Sequence, residues 1–443
     1  MAVQRRPRRS LGSGGGGAVI TGARTACSYA TNEPTFPPRP PPVPKRRRIL
    51  LSAFSTSLGA RRARRVYSAS LDRETATRVD RRRLRQKPPV HSTALAPLVT
   101  PTDLLLARDG VPRAMRVPDL ELAPLLTDDM TPIGLDGVRP QRFGPLSMLA
   151  RFPDGGLVTF LDSARYATDL DGAAGHVVVT TPELVNVVPT GNATVTSARP
   201  PKAGLFELVE RALREQRFER LAEYRSPSAR VHPTAVVDEH VYIDDDATVG
   251  PGAVLLANTY VGPGARVKPN AVLGDDGFET VRVGDAVRVV NHAGGVWLGA
   301  GVHIGALSCV DKGLYGDFTV LGDYTQTDDQ VYVAHNVVCG QRCTLTAGVA
   351  VLGWTQLGDD VWLGPSTSVN QLLQIGTAAY VGTGSVVRHD VASHALVYGD
   401  TARQKGWACS CHGRLEKTGD RQFECPSCRR RYRVDDGQLT STE

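Results

Sequence analysis

His335 stands in the run Val333-Ala-His-Asn-Val-Val-Cys-Gly340, preceded by Asp328. A histidine takes up and returns a proton near neutral pH, the property a general base needs. A second chemistry-bearing group lies near the C-terminus: Cys409-Ser-Cys411 and, a short stretch later, Cys425-Pro-Ser-Cys428. Two short cysteine pairs at this separation suit tetrahedral thiolate coordination of zinc. Trp407, Phe423 and Tyr432 flank them, as a small metal-organised ribbon needs apolar cover. Four protein ligands make such a site structural, because a catalytic zinc keeps an open position. The first pair is tighter than Cys-x-x-Cys, so His412 is an alternative ligand. Two disulfides in a secreted tail are the other reading.

The elements that must position His335 are written in the period of the chain. From Val231 to Val387 an aliphatic residue returns every sixth position, as in Val237, Ile243, Val249, Leu255, Val261, Val267 and Leu273. The run breaks across residues 279–295, resumes at Leu298, Ile304 and Val310, and after a second insertion continues from Leu321. A small residue commonly stands four places after the aliphatic one. This pattern predicts a parallel β-helix over residues 226–400, in triangular coils of three hexads each. Such a stack must be capped at both ends. Cys339 falls in an inward slot and there acts as a small hydrophobe. One coil on from His335 is Gly353, whose N–H is available to a developing oxyanion. That pairing suits acyl transfer, although a single histidine in a β-helix also has a purely structural reading.

The remaining sequence divides the 443 residues further. The net charge of +7 is concentrated near the start, where Glu33 is the only acidic residue up to Ser70. With its Gly14–Gly17 run and Pro37–Pro44 segment, residues 1–95 read as disordered. A transit peptide, a basic tail touching nucleic acid or anionic surfaces, and an inert extension are its three readings. Residues 96–127 read as a linker, 128–225 as a small α/β domain, and 401–443 as the zinc-ribbon tail. In the α/β domain, Gly156–Leu161 and His176–Thr180 read as strands and Asp162–Leu170 as a short helix. Lys202–Tyr224 reads as an amphipathic helix, followed by a turn at Arg225-Ser-Pro-Ser. No apolar run is long enough to span a bilayer, and none follows the basic start, so neither a transmembrane helix nor a secretory signal is expected.

Several motifs together resemble the UDP-3-O-(3-hydroxyacyl)glucosamine N-acyltransferases of lipid A assembly. They are Gly274-Asp-Asp-Gly-Phe278, His292-Ala-Gly-Gly-Val296, Val310-Asp-Lys-Gly313 and Val333-Ala-His-Asn-Val-Val-Cys-Gly340. Phe160-Leu-Asp-Ser-Ala-Arg-Tyr166 and Val177-Val-Val-Thr-Thr-Pro-Glu183 resemble that family's nucleotide-binding domain, so the likeness runs over residues 128–400. The resemblance implies a left-handed β-helix, with His335 as general base, Asp328 orienting it and Gly353 as the oxyanion donor. It further implies Phe160 and Tyr166 as an aromatic pair around uracil, and Asp276, Phe278, His292 and Asn336 as substrate-binding residues. It implies a cytoplasmic homotrimer with sites between neighbouring β-helices. The expected chemistry is acyl transfer from a thioester, on acyl carrier protein or CoA, to the amine of a nucleotide-linked amino sugar. No catalytic metal and no nucleic-acid partner are expected.

The chain departs from that family at three places. Leu372 stands where a second histidine is expected, Ser163 replaces an Asn beside uracil, and a cysteine ribbon replaces the C-terminal helices that recognise acyl carrier protein. The acyl chain, the carrier and the acceptor sugar therefore stay open, and another nucleotide amino sugar is an alternative. Two readings come from other classes. A γ-carbonic-anhydrase-type enzyme would use three converging histidines; His292, His303 and His335 supply the number without the paired His-x4-His spacing. A trimeric scaffold would instead use the ribbon and Arg429, Arg430, Arg431 and Arg433 to bind nucleic acid or a partner.

Overall fold

Most hexads become one two-residue strand, such as Tyr242–Ile243 or Tyr332–Val333, and a few extend to three or four residues, as at Gly295–Leu298. Strands one coil apart pair in parallel, Tyr242 with Tyr260 and Tyr332 with Ala350. The strands collect into three long sheets of eight, eight and ten, the three walls of the predicted β-helix. In this computed structural model residues 96–105, 112–118, 120–435 and 437–442 are described. They fall within one compact unit, Pro88–Glu443. The disordered segment expected over residues 1–95 lies outside the described residues.

The interior of the helix is the periodic set itself. Ile243, Val261, Leu298, Leu321, Cys339, Leu357 and Ile375 lie along one wall, all buried. Small buried residues such as Ala247, Ala265, Val302, Thr325, Cys343 and Val361 fill the bends between walls. Several corners require a left-handed backbone, as at Asn336 (φ 59°), Trp354 (φ 62°) and Leu372 (φ 64°), stacked in three successive coils. The first break in the period is a hairpin, Thr280–Val283 against Ala286–Val289. The wall begins before the expected turn, because Tyr224–Arg225 already pairs with Tyr242–Ile243.

The α/β part is a five-stranded sheet in the order Met130–Ile133, Ala193–Ser197, Val177–Thr180, Leu157–Phe160, Arg142–Phe143. Its pairs are parallel except the first. Helix Pro201–Arg214 covers it, with Leu205, Phe206, Leu208 and Val209 buried. Gly204 lets helix and sheet approach, since a Cβ there would sit 3.0 Å from Val179 Cγ1. The expected helix is cut short: Gln216 turns into the left-handed region (φ 56°), and Leu221 instead joins a strand paired with Leu98–Val99. The described residues of the stretch 96–127 are packed rather than free. Val99, Leu104, Met115, Val117, Leu120 and Leu125 are buried, because they complete the apolar contacts of the sheet, the helix and the first coils. Among the described residues no helix is long and apolar enough to cross a membrane.

Candidate active site and metal centre

His335 follows strand Tyr332–Val333 at a corner of the helix and is only 8% exposed. Its Nδ1 lies 3.1 Å from Asn336 Oδ1. That oxygen also accepts the Leu314 backbone N–H at 2.9 Å, so it is the acceptor of the amide. The shared bond therefore puts the histidine proton on Nδ1 and leaves Nε2 as a free base. Asn336 is itself fixed by its N–H to Thr319 Oγ1 (2.9 Å) and by Nδ2 to Asp317 Oδ2 (3.4 Å). Burial raises the Asp317 carboxyl to about 6.

Gly353 lies against the ring, as a coil of three hexads requires. A Cβ at Gly353 would be 2.9 Å from His335 Cε1 and Nε2. Gly353 is buried, and among the described residues no group accepts a hydrogen bond from its N–H. A backbone N–H without an acceptor on the residue packed against an imidazole is the kind of donor that can serve a developing oxyanion beside a base. Trp354 closes the side, edge-on to His335 with ring centroids 6.4 Å apart.

His292 meets the same site, its ring edge-on at 5.2 Å from His335. Its Nδ1 donates to the Val290 carbonyl at 3.1 Å, so Nε2 carries the lone pair. Among the described residues that buried Nε2 has no partner. Burial, then the neighbouring His335, push the His292 pKa down to about 4. Asp276 holds this arrangement, accepting the His292 backbone N–H (2.9 Å) and the Lys312 ammonium (2.9 Å) on Oδ1. Phe278, by contrast, is 78% exposed.

The expected Asp328–His335 pair does not form within the chain. Asp328 is exposed one hexad earlier, at a different corner, where its Oδ1 accepts the Asp329 N–H. Its strand neighbour Gln326 stacks on His303, which likewise lies away from His292 and His335. Three histidines thus do not converge. The carboxylate facing His335 is Asp311: a Cβ on Gly277 would be 3.0 Å from His335 Cδ2 and from His292 Nε2 and 3.1 Å from Asp311 Oδ2. Burial raises the Asp311 pKa against the hydrogen bond from Tyr332 Oη (2.7 Å). Sequence spacing hid this residue. Val310 pairs with Val333 across the second insertion, a longer step than the regular one from Val333 to Val351. Phe160 is half-buried at its strand end, and Tyr166 is exposed beneath the Arg165 guanidinium, 4.4 Å from the ring centre.

The four tail cysteines gather as anticipated, their sulfurs all within 4.8 Å of one another. Cys409 and Cys428 are 3.4 Å apart and Cys411 and Cys425 3.5 Å, and none is in a disulfide. Sulfurs on a tetrahedral zinc sit about 3.8 Å apart, so the donor set fits that ion. Tyr432 Oη stands 3.1 Å from Cys409 Sγ, a supporting contact for a thiolate ligand. His412 is not a ligand candidate. Its Nε2 bonds the Asp360 carbonyl at 2.8 Å and its ring meets Trp362 at 5.2 Å, docking the ribbon on the β-helix.

A parallel β-helix with a base and a free backbone donor at one corner defines the hexapeptide-repeat acyltransferases. No family model matches the chain. It is 31% identical over 295 residues to a UDP-3-O-acylglucosamine N-acyltransferase of Delftia acidovorans, covering 62% of this chain and 85% of that one. The same-named protein of Bordetella parapertussis is 30% identical over 280 residues, covering 53% and 74%. The chain belongs to the UDP-3-O-acylglucosamine N-acyltransferase family. A Caulobacter relative matches at higher identity, 35% over 155 residues, but that stretch spans only 45% of its length.

Proposed function

We propose that this protein transfers an acyl group from a thioester to the amine of a UDP-linked acylglucosamine, forming an amide. The observation that carries this reading is His335, its Nδ1 held by Asn336 and its Nε2 packed against Gly353, whose N–H has no acceptor among the described residues. In the reaction, the sugar amine attacks the thioester carbonyl and His335 Nε2 takes its proton. The Gly353 N–H donates to the oxyanion of the tetrahedral intermediate. Collapse breaks the C–S bond, and the departing thiolate receives the proton from His335. The α/β domain, 128–225, would hold the nucleotide, with Phe160 and Tyr166 at the uracil.

A homotrimer belongs to the same reading. Leu372, two coils beyond Asn336 at the same corner, is 67% exposed, an apolar side chain that a second copy would cover. The tail would bind one structural zinc through Cys409, Cys411, Cys425 and Cys428. The reaction is assigned to the cytoplasm, where nucleotide sugars and acyl thioesters are made.

The test is to offer the full chain UDP-3-O-acylglucosamine and other UDP-amino sugars with acyl carrier protein and CoA thioesters, reading amide products by mass spectrometry. Product that falls roughly 10²- to 10⁴-fold in His335→Ala establishes the reaction. No product from any pair with a folded trimer overturns it.

A further inference from the structure

Asp317, hydrogen-bonded by Asn336, lines a cavity of about 570 Å³ that does not include His335 and that the acyl-transfer chemistry does not use. Arg113, Arg116, Arg142 and Arg151 line it together with Asp317. Its size is that of a small-molecule site. Among the described residues Arg113 forms a salt bridge, to Glu219 at 2.6 Å, and Glu219 also accepts the Arg116 backbone N–H at 2.7 Å; the Asp317 carboxylate acts on Arg142 and Arg151 only from beyond salt-bridge distance. Among the described residues no salt bridge reaches Arg116, Arg142 or Arg151. The buried Nε atoms of Arg116 and Arg142 find no hydrogen-bond partner among the described residues. The Arg142 guanidinium lies 4.6 Å above the Phe152 ring, which holds its plane. Burial, then the charges of Arg116 and Arg113, lower its pKa to about 10. Positive charge is therefore gathered here beyond what the chain neutralises.

Guanidinium forks match the oxygens of a phosphoryl group, and desolvated donors left unpaired by the protein call for an anion. We propose that this cavity binds a phosphoryl group of a substrate through Arg116, Arg142 and Arg151. Apolar Met148 and Phe152 in the lining suit a ligand with an organic arm beyond the phosphate. Two substrates of the proposed reaction carry that group: the diphosphate of a UDP-sugar and the phosphopantetheine arm of a thioester donor. Naming these two sources rests on the acyltransfer reading; the anion affinity does not. The hydrogen bond from Asn336 Nδ2 to Asp317 Oδ2 (3.4 Å) connects the cavity to the residue that orients His335.

Calorimetric titration of the full chain with UDP, uridine, 4′-phosphopantetheine and pantetheine tests this. At least one phosphorylated ligand should bind roughly 10- to 100-fold more tightly than its dephosphorylated partner, the range of one or two charge-assisted hydrogen bonds. Arg142→Gln and the exposed-side Arg151→Gln should abolish that preference and leave uridine or pantetheine affinity unchanged. The ligand whose preference is lost identifies the source. Melting curves identify any misfolded variant, and Arg142→Lys, which keeps the charge but not the fork, should recover only part of the preference. An unaltered phosphoryl preference in folded Arg142→Gln and Arg151→Gln overturns the proposal, as does no preference in the wild type. These are equilibrium readings without turnover, so they stand apart from the outcome of the acyl-transfer assay.

Discussion

Asn336 Oδ1 accepts a hydrogen bond from His335 Nδ1–H at 3.1 Å as well as one from the Leu314 N–H at 2.9 Å, and so fixes the tautomer of its own neighbour. The left-handed backbone at Asn336 (φ 59°) turns its amide back toward the histidine. Asparagine tolerates that conformation better than most residues. Replacing it by alanine should free the imidazole to rotate or exchange tautomers. We expect Asn336→Ala to lower kcat by about 10- to 100-fold, with KM for the sugar changed far less. A KM effect alone would show that Asn336 serves binding rather than orientation.

Asp311 and Asp328 make a discriminating pair. Asp311 is buried beside His335 and His292, whereas Asp328 is exposed at another corner. If one chain supplies the carboxylate near the base, Asp311→Asn will reduce kcat by at least about tenfold and Asp328→Asn will stay near wild type. The reverse ranking, measured in the assembled protein, would assign the carboxylate to Asp328 across a subunit interface.

At Gly353 the side chain is excluded by the base itself. A methyl group would lie 2.9 Å from both His335 Cε1 and Nε2, closer than carbon contacts allow. Gly353→Ala should therefore displace the imidazole and obstruct the N–H. A loss of about 10²-fold or more in kcat is expected, with stability changed by about 1–3 kcal/mol. Near-normal turnover would mean that this N–H faces no developing charge.

His292 gives a pH dependence whose sign follows from its lowered pKa of about 4, set first by burial. Above the unfolded value near 6.5 both states are neutral and no penalty exists. As the pH falls from 6.5 to 4 the unfolded chain takes up a proton that the folded chain refuses, so stability declines. The full loss is roughly 3–4 kcal/mol. His292→Gln should flatten denaturation midpoints over that window, and an unchanged slope would count against the burial argument.

The cysteine cluster predicts one zinc per chain by elemental analysis. Cys425→Ser should release it, and chelation should loosen the ribbon from Asp360 and Trp362, seen as earlier amide exchange there. Because metal binding stabilises such a module by several kcal/mol or more, an unchanged exchange pattern after metal removal would favour a ribbon held by its own small core.

What the sequence by itself determined is whatever depends on period. An aliphatic residue at every sixth position sets the three walls, and three hexads per coil put Gly353 beside His335 whatever else the chain does. Paired cysteines likewise came together because their spacing is local. The tertiary structure decided what insertions and distant segments do. The second insertion lengthened the coil that pairs Val310 with Val333, which put Asp311 beside the His335 corner and left Asp328 on another. Nothing in the hexads reports that shift, since a strand register is set by the partner beneath it. The supposed linker is packed because Met115 and Val117 find apolar neighbours only once the sheet and first coils exist. The arginine cavity joins residues 113, 142 and 317, far apart in sequence. Their convergence, and the shortage of carboxylates among them, exist only after folding.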